Sequence, residues 1–408
     1  MRYDRRYNFL WLSGILMLLL LTACSKSSSE GGDEPDSTKP VLKIYVFAPD
    51  RPVVTRADNG DVEASALENK INNLHVWVYK TGTDELIGHI SLNNVELSQA
   101  GTEVSMELND DYANSETKEN VDVYVAANVA NTNCGFSLDA SSKSTQLQAA
   151  LIKEDYFGVT NLIKTVPSDG LPMSGVMKNK PVKGASPVYQ VREEDGNKLA
   201  NVRLVRAVSK IRFVACMSST NPDIVTINSI KLNGGVLPKE EYLFLDDAYD
   251  LAATTKWNVK NDTPATDYVD ATELVSSVTE IAKNTSPASY SWDGSMSGQA
   301  YEEKIQKGID KGELTELGTF YLRESDKALV GTIDYTIKHK KNPVDENEVP
   351  TTIQNTPSFS MKADGDFSRN HTWIVYSYFI SSGDLIMGMV EVSDWSSSEN
   401  ASQIVYNW

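Results

Sequence analysis

Residues 71–80 read Ile71-Asn72-Asn73-Leu74-His75-Val76-Trp77-Val78-Tyr79-Lys80. Leu74, Val76 and Val78 alternate with His75, Trp77 and Tyr79, and a period of two among β-branched and aromatic residues marks a strand. The pattern recurs outward along the chain. Val121, Val123 and Val125 alternate with Asp122 and Tyr124, and Ile333, Tyr335 and Ile337 with Thr332, Asp334 and Thr336. Ile374, Tyr376, Tyr378 and Ile380 alternate with Trp373, Val375 and Phe379, which predicts a strand buried on both faces. Near the start, Leu42, Ile44 and Val46 alternate with Lys43, Tyr45 and Phe47, so a strand is expected over 41–48. Helical signals are few. Leu274, Val278 and Ile281 share a face over 270–284, with Asp270 and Glu273 as a capping box, and a shorter helix is expected over 144–152. Many short strands with minor helices predict a mainly β fold of sandwiches rather than an alternating α/β sheet.

With 408 residues the chain is long enough for two or three domains. The polar run Glu193-Glu194-Asp195-Gly196-Asn197 is the expected boundary, giving an N-terminal unit over 41–195 and a C-terminal unit over 196–395. Ile71-Asn72-Asn73-Leu74 and Ile227-Asn228-Ser229-Ile230 correspond faintly, which hints at two copies of one sandwich.

Arg2, Arg5 and Arg6 precede an apolar run from Phe9 to Leu21 that ends in Leu21-Thr22-Ala23-Cys24. This is the pattern of a secretory signal over 1–23, too short for a spanning helix, which needs about 20 apolar residues. A cysteine behind a small residue at the cleavage point resembles a bacterial lipobox, so Cys24 is the expected lipidation site. Residues 24–40 hold no aliphatic side chain and read as a flexible tether. The net charge is -18; without the three arginines and Asp4 of the signal, 35 basic face 55 acidic residues, or -20. Such a surface repels phosphate backbones, which excludes nucleic acid as a partner. Beyond Cys24 only Cys134 and Cys216 remain, too few for a disulfide scaffold or a four-cysteine zinc site. They are open to pairing in an oxidising compartment, with burial as two free thiols the expected state.

The chain lacks the marks of catalysis. His75, His89, His339 and His371 form no metal-ligand spacing. Gly294-Ser295-Met296-Ser297-Gly298 has methionine where a nucleophile elbow needs serine, so it reads as a Gly/Ser loop. Asp110-Asp111 and Asp364-Gly365-Asp366 lack the other ligands of a calcium site and read as solvated turns. No carboxylate pair stands out. No catalytic residue, metal or cofactor is therefore assigned.

Several separated segments, in this order, resemble the FimA-type fimbrillins, the major fimbrial subunits of type V pili of Bacteroidales. They are Thr55-Arg56-Ala57, the 71–78 strand, Val123-Tyr124-Val125-Ala126-Ala127-Asn128, Leu171-Pro172-Met173-Ser174-Gly175, and Leu204-Val205-Arg206-Ala207-Val208-Ser209-Lys210-Ile211. Thr319-Phe320-Tyr321-Leu322, Arg369-Asn370-His371 and Val392-Ser393-Asp394-Trp395 follow. Ser209, where alanine is expected, and Arg323 depart from the pattern.

The resemblance implies two transthyretin-like β-sandwich domains and a structural subunit of a cell-surface fimbria that supports adhesion. It also implies export as a lipoprotein to the outer membrane, cleavage after an arginine by a processing protease, and growth by strand insertion between subunits. The removable propeptide is then 24–56, with Leu42, Ile44 and Val46 on the displaced strand. Arg56 before Ala57 and a flexible turn is a better scissile site than Arg51 before Pro52. Residues 396–408 run from a polar spacer into Ile404, Tyr406 and Trp408, expected as a donor strand that buries these groups in a neighbour. The plainer alternative is a last strand of the chain's own second domain. A competing function is an uncleaved lipoprotein, an anchor or an adhesin for glycans or host ligands, using Trp257 and Trp292 as exposed platforms.

Overall fold

The computed structural model describes residues 39–48, 67–98, 101–130, 134–245, 268–325, 327–339, 347–361, 369–380, 385–392 and 402–407, with positions 132 and 367. The first eleven strands are β1 (Val41–Phe47), β2 (Asn73–Lys80), β3 (Leu86–Asn93), β4 (Thr102–Glu107), β5 (Val121–Ala127), β6 (Leu151–Ile152), β7 (Met173–Lys180), β8 (Val182–Ala185), β9 (Val188–Val191), β10 (Asn201–Arg203) and β11 (Val205–Arg206). One sheet runs β10-β1-β9-β8 with β4 on the other side of β1, and a second runs β11-β7-β5-β2-β3. Leu42, Ile44 and Val46 meet Leu74, Val76, Val123 and Val125 in one core, which makes the pair a sandwich. β2 is buried on both faces, not one. His75 and Tyr79 on its outer side are buried as well, and Trp77 and Tyr79 pack with Val129, Leu147, Ala150 and Phe157.

The remaining strands are β12 (Ser209–Ser218), β13 (Ile224–Leu232), β14 (Glu241–Tyr242), β15 (Thr272–Val275), β16 (Thr279–Glu280), β17 (Ala282–Asn284), β18 (Thr315–Leu322), β19 (Leu329–His339), β20 (Thr351–Asn355), β21 (Ser358–Met361), β22 (Thr372–Phe379), β23 (Leu385–Val392) and β24 (Ser402–Asn407). Their sheets run β17-β12-β22-β23-β24, with β18 also on β12, and β15-β13-β19-β20, with β16 on β13 and β21 on β19. Ile211, Phe213, Ile227, Ile333, Tyr335, Trp373 and Val375 share the second core. The two sandwiches repeat one device: the first strand lies inside its sheet, antiparallel to one neighbour and parallel to strands from late in the same domain. β1 does this with β4, β9 and β10, and β12 with β18 and β22.

β22 is buried on both faces, as its sequence predicts, except that Ile380 falls just past its end and is half exposed. Ile374, Tyr376 and Tyr378 lie under the helix Gly298–Asp310, packed with Tyr301 and Ile305. The Gly/Ser loop leads into this helix, where Ser297 caps the first turn by accepting from the Ala300 amide at 3.3 Å. No helix forms over 270–284. That stretch is β15, β16 and β17, whose Thr272, Val275 and Thr279 favour a pleated surface, and β13 pairs with the first two. The shorter helix covers Ser144–Gln148 and gives way to β6. The expected boundary at 195/196 also moves. β10 and β11 lie in the sheets of the first sandwich, and Ala200, Val202 and Leu204 sit in its core, so Glu193–Asn197 is a turn inside that domain. The crossing falls at Ala207–Val208.

Two buried polar clusters join the sandwiches. Glu68, just ahead of β2, pairs with Lys210 of β12 at 2.8 Å and accepts from Tyr321 at 2.5 Å. Arg206 donates to the Glu68 carbonyl at 3.2 Å, to Asn370 at 3.1 Å, and to Asn69. In the second cluster β6 and β14 form a two-stranded sheet across the junction. Arg369 donates to the carbonyls of Tyr242 at 2.6 Å and Leu243 at 3.1 Å and pairs with Glu324 in full burial. Beside them, burial lifts the Glu241 carboxyl well above the ordinary carboxylate range although Arg369 opposes the shift. Removing one member of a buried pair strands the other's charge. Arg369→Met is therefore expected to lower stability by about 3–5 kcal/mol in urea titrations; a loss below about 1 kcal/mol would mean that the pair holds nothing together.

Candidate assembly site

β1 is the element that the sequence singles out, and its surroundings are now defined. Val41–Val46 run antiparallel to Thr102–Glu107 of β4. On the other side Val41–Lys43 run parallel to Val188–Gln190 of β9, and Tyr45–Phe47 to Asn201–Arg203 of β10. The strand therefore fills a slot with hydrogen-bonding walls on both sides. Leu42, Ile44 and Val46 are fully buried at its floor. At about 1.5–3 kcal/mol for each buried side chain, they contribute several kcal/mol before ordering costs.

The solvent side of the strand is charged. Lys43 bonds Glu103 of β4 at 2.7 Å, Tyr45 donates to the same carboxylate at 2.8 Å, and Lys39 meets Glu107 at 3.1 Å. Burial pushes the Glu103 carboxyl up, but the bonds from Lys43 and Tyr45 outweigh it and hold the group below its ordinary value. The same Glu103 bond raises the Lys43 ammonium. At this partial exposure each ion pair contributes about 0–1 kcal/mol, so the floor holds the strand and the rim tunes its choice.

The other expected site residues are spread along the chain. Cys24, Arg51, Arg56, Ala57, Trp257 and Trp408 lie outside the described residues, as does Asp364-Gly365-Asp366. Ile404 and Tyr406 belong to β24, which pairs antiparallel with β23, residues 402–407 against 386–391. Among the described residues, 402–407 are thus the outermost strand of their own domain's sheet. Trp292 is no platform: it is 6% exposed and packs edge-on against Tyr301 at 5.3 Å, because its ring completes the layer under the helix Gly298–Asp310. Cys134 and Cys216 are free, buried thiols, and burial pushes both up to about 11. His75 and His89 stack at 5.8 Å, His339 bonds Asp223 at 2.6 Å, and among the described residues no group of side chains could hold a metal ion.

The remaining motif residues position backbone. Asn128 takes a positive φ, accepts from the Asn72 amide at 2.9 Å, and donates to the carbonyls of Lys70 at 2.7 Å and Leu171 at 2.9 Å, tying three loops together. Gly175 lies where β10 passes over β7; a Cβ there would come within 2.6 Å of the Arg203 carbonyl oxygen. Sequence reasoning missed β4, β9 and β10, the walls of the slot. The alternation Glu103-Val104-Ser105-Met106 was a signal for β4, whereas β9 and β10 are short and nothing local marks their pairing with β1.

The fold and the slot define a mainly β protein of two sandwiches, the first closed by β1. Residues 37–209 match the family model described as major fimbrial subunit protein (FimA). The first sandwich, with the crossing into the second, is thus a FimA-type fimbrillin region, the family that the sequence motifs resemble. This match supports a fimbrial, cell-surface role beside other subunits and points away from an enzyme. No curated protein matches the chain. Among solved structures, the chain is similar to a proposed cell adhesion protein of Parabacteroides distasonis (TM-score 0.45, 15% identity, 91% of this chain and 97% of that one). It is also similar to one of Bacteroides eggerthii (0.46, 15%, 92% and 97%) and to the C-terminally truncated tip fimbrial protein Mfa3 of Porphyromonas gingivalis (0.41, 11%, 90% and 100%).

Proposed function

We propose that this protein is a fimbrial subunit exported as a lipoprotein on Cys24, cut after Arg56 and polymerised by strand insertion. The lipid holds the precursor at the outer membrane. A processing protease then severs 24–56, β1 leaves, and a strand from a neighbouring subunit takes its place. The observation that supports this reading is the position of β1, inside its sheet, with walls on both sides and three apolar side chains at the floor. Its departure exposes unpaired backbone groups and apolar pockets at alternate positions, the geometry that β-augmentation uses. The mature chain keeps its grip without β1, because Glu68 anchors the segment ahead of β2 to Lys210 and Tyr321 of the second sandwich.

In this scheme Ile404, Tyr406 and Trp408 supply the donor side chains to the next subunit. The pairing of β24 with β23 favours the other reading of the tail, as a fixed edge strand of its own domain. Arg56→Ala is expected to give a folded, lipidated precursor that does not assemble, because β1 keeps its slot. N-terminal sequencing of protein from cell surfaces checks the step: the wild type should begin at Ala57, the variant at acylated Cys24. Filaments at wild-type abundance from the variant would remove Arg56 as the required cut, leaving Arg51.

A further inference from the structure

We infer that the slot in the first sandwich is shaped for a strand carrying a cation on its solvent side, so that its fitting occupant is a basic strand from a different polypeptide rather than the tail of a second copy. The inference rests on the reading that β1 leaves its slot.

The β4 wall carries Glu103 and Glu107 four residues apart, hence on the same face of the strand. Their counter-charges in the precursor, Lys43 and Lys39, both lie within 24–56. When that segment goes, Glu103 loses Lys43 and Tyr45 together. The opposite wall carries Arg192, just after β9, which donates to the Asn197 carbonyl at 3.1 Å and to the Gln190 side chain, and Arg203, exposed on β10 beside Phe47. Those cations lie across the width of the slot from Glu103, so an incoming strand with its own positive charge restores the contact that Lys43 made, and one without it leaves Glu103 lacking that contact.

The chain's own tail brings none. From Asn370 to Trp408 there is no lysine or arginine, and the spacer adds Glu399. With Ile404, Tyr406 and Trp408 set on the floor, the solvent side would present Gln403, Val405 and Asn407. If the tail entered in the direction of β1, Val405 would stand where Lys43 stands; if it entered in reverse, Asn407 would. Neither supplies a charge. Complementarity at a rim changes partner choice more than total affinity. Such a slot places the subunit where one kind of subunit meets another.

The test uses the full chain, cut with an arginine-specific protease, and fluorescent peptides of residues 396–408. The peptides are the native tail and its Val405→Lys and Asn407→Lys versions. At least one lysine peptide is expected to bind about three- to fivefold more tightly than the native tail, the range of a partly exposed ion pair. Salt should shrink the difference. In Glu103→Gln it should vanish, and in Glu103→Lys it should invert toward a Val405→Glu or Asn407→Glu peptide. Equal binding of native and lysine peptides, or a lysine advantage unaffected by Glu103→Gln, overturns the inference while leaving strand insertion standing. If no peptide binds the cut chain, the slot does not open, and both this inference and the assembly scheme fall.

Discussion

A chain made without residues 24–56 is expected to lose the stability of its first sandwich, by more than about 5 kcal/mol in urea unfolding, and to regain it when a peptide of residues 39–48 is added. Leu42, Ile44 and Val46 are at zero exposure, and their pockets would open into the middle of the domain. The ladders from β1 to β4 on one side and to β9 and β10 on the other would go as well. Each ladder hydrogen bond lost costs about 0.5–1.5 kcal/mol net. Against a typical total of about 5–15 kcal/mol, the open sandwich is marginal at best. The second sandwich has its own core and should persist as a separate transition. Rescue by the peptide matters as much as the loss, since only an empty, preserved slot can be refilled. An unchanged unfolding curve would mean that β4 closes against β9 and β10 without β1, and the slot would then have no part in assembly.

The second large effect belongs to the tail. Deleting residues 396–408 is expected to abolish filaments while the monomer's melting temperature stays within a few degrees of the full chain's. Among the described residues β24 is the outermost strand of its sheet and has a single ladder, to β23, so its loss leaves β12, β22 and β23 paired. Electron microscopy of assembled material and calorimetry of the monomer read the two effects separately. Filaments at normal abundance would show that the tail is no donor. A melting temperature lowered by ten degrees or more with assembly intact would return the tail to its own domain as a strand that the core requires. Register gives a finer check. Aspartate at Ile404, Tyr406 or Trp408 should block assembly far more than aspartate at Gln403 or Asn407, because successive side chains face opposite ways. Equal sensitivity at all five would mean that the tail does not insert as a strand.

Much of this protein is legible in short patterns. The alternations around Leu74–Tyr79, Val121–Val125, Ile333–Ile337 and Leu42–Val46 are all strands in the structure, because burying one face of a strand demands a period of two. The motifs at Asn128, Gly175 and Arg206 are legible for a related reason: a positive φ, a close crossing of backbones and a buried cation each admit few residue types. Where sequence reading failed, a distant partner decided. Residues 270–284 carry helical spacing, yet they are strands, because β13 offers an open edge and pairing along it outweighs a weak local preference. A polar turn at 193–197 looks like a linker, yet β10 beyond it returns to lie beside β1. Trp292 reads as an exposed aromatic until the helix Gly298–Asp310 covers it. The sequence by itself determined that residues 41–47 form a strand and which of its side chains point inward. Only the tertiary structure decided that this strand has a wall on each side and faces Glu103 at its rim, because pairing between segments up to about 160 residues apart leaves no periodic trace in either one.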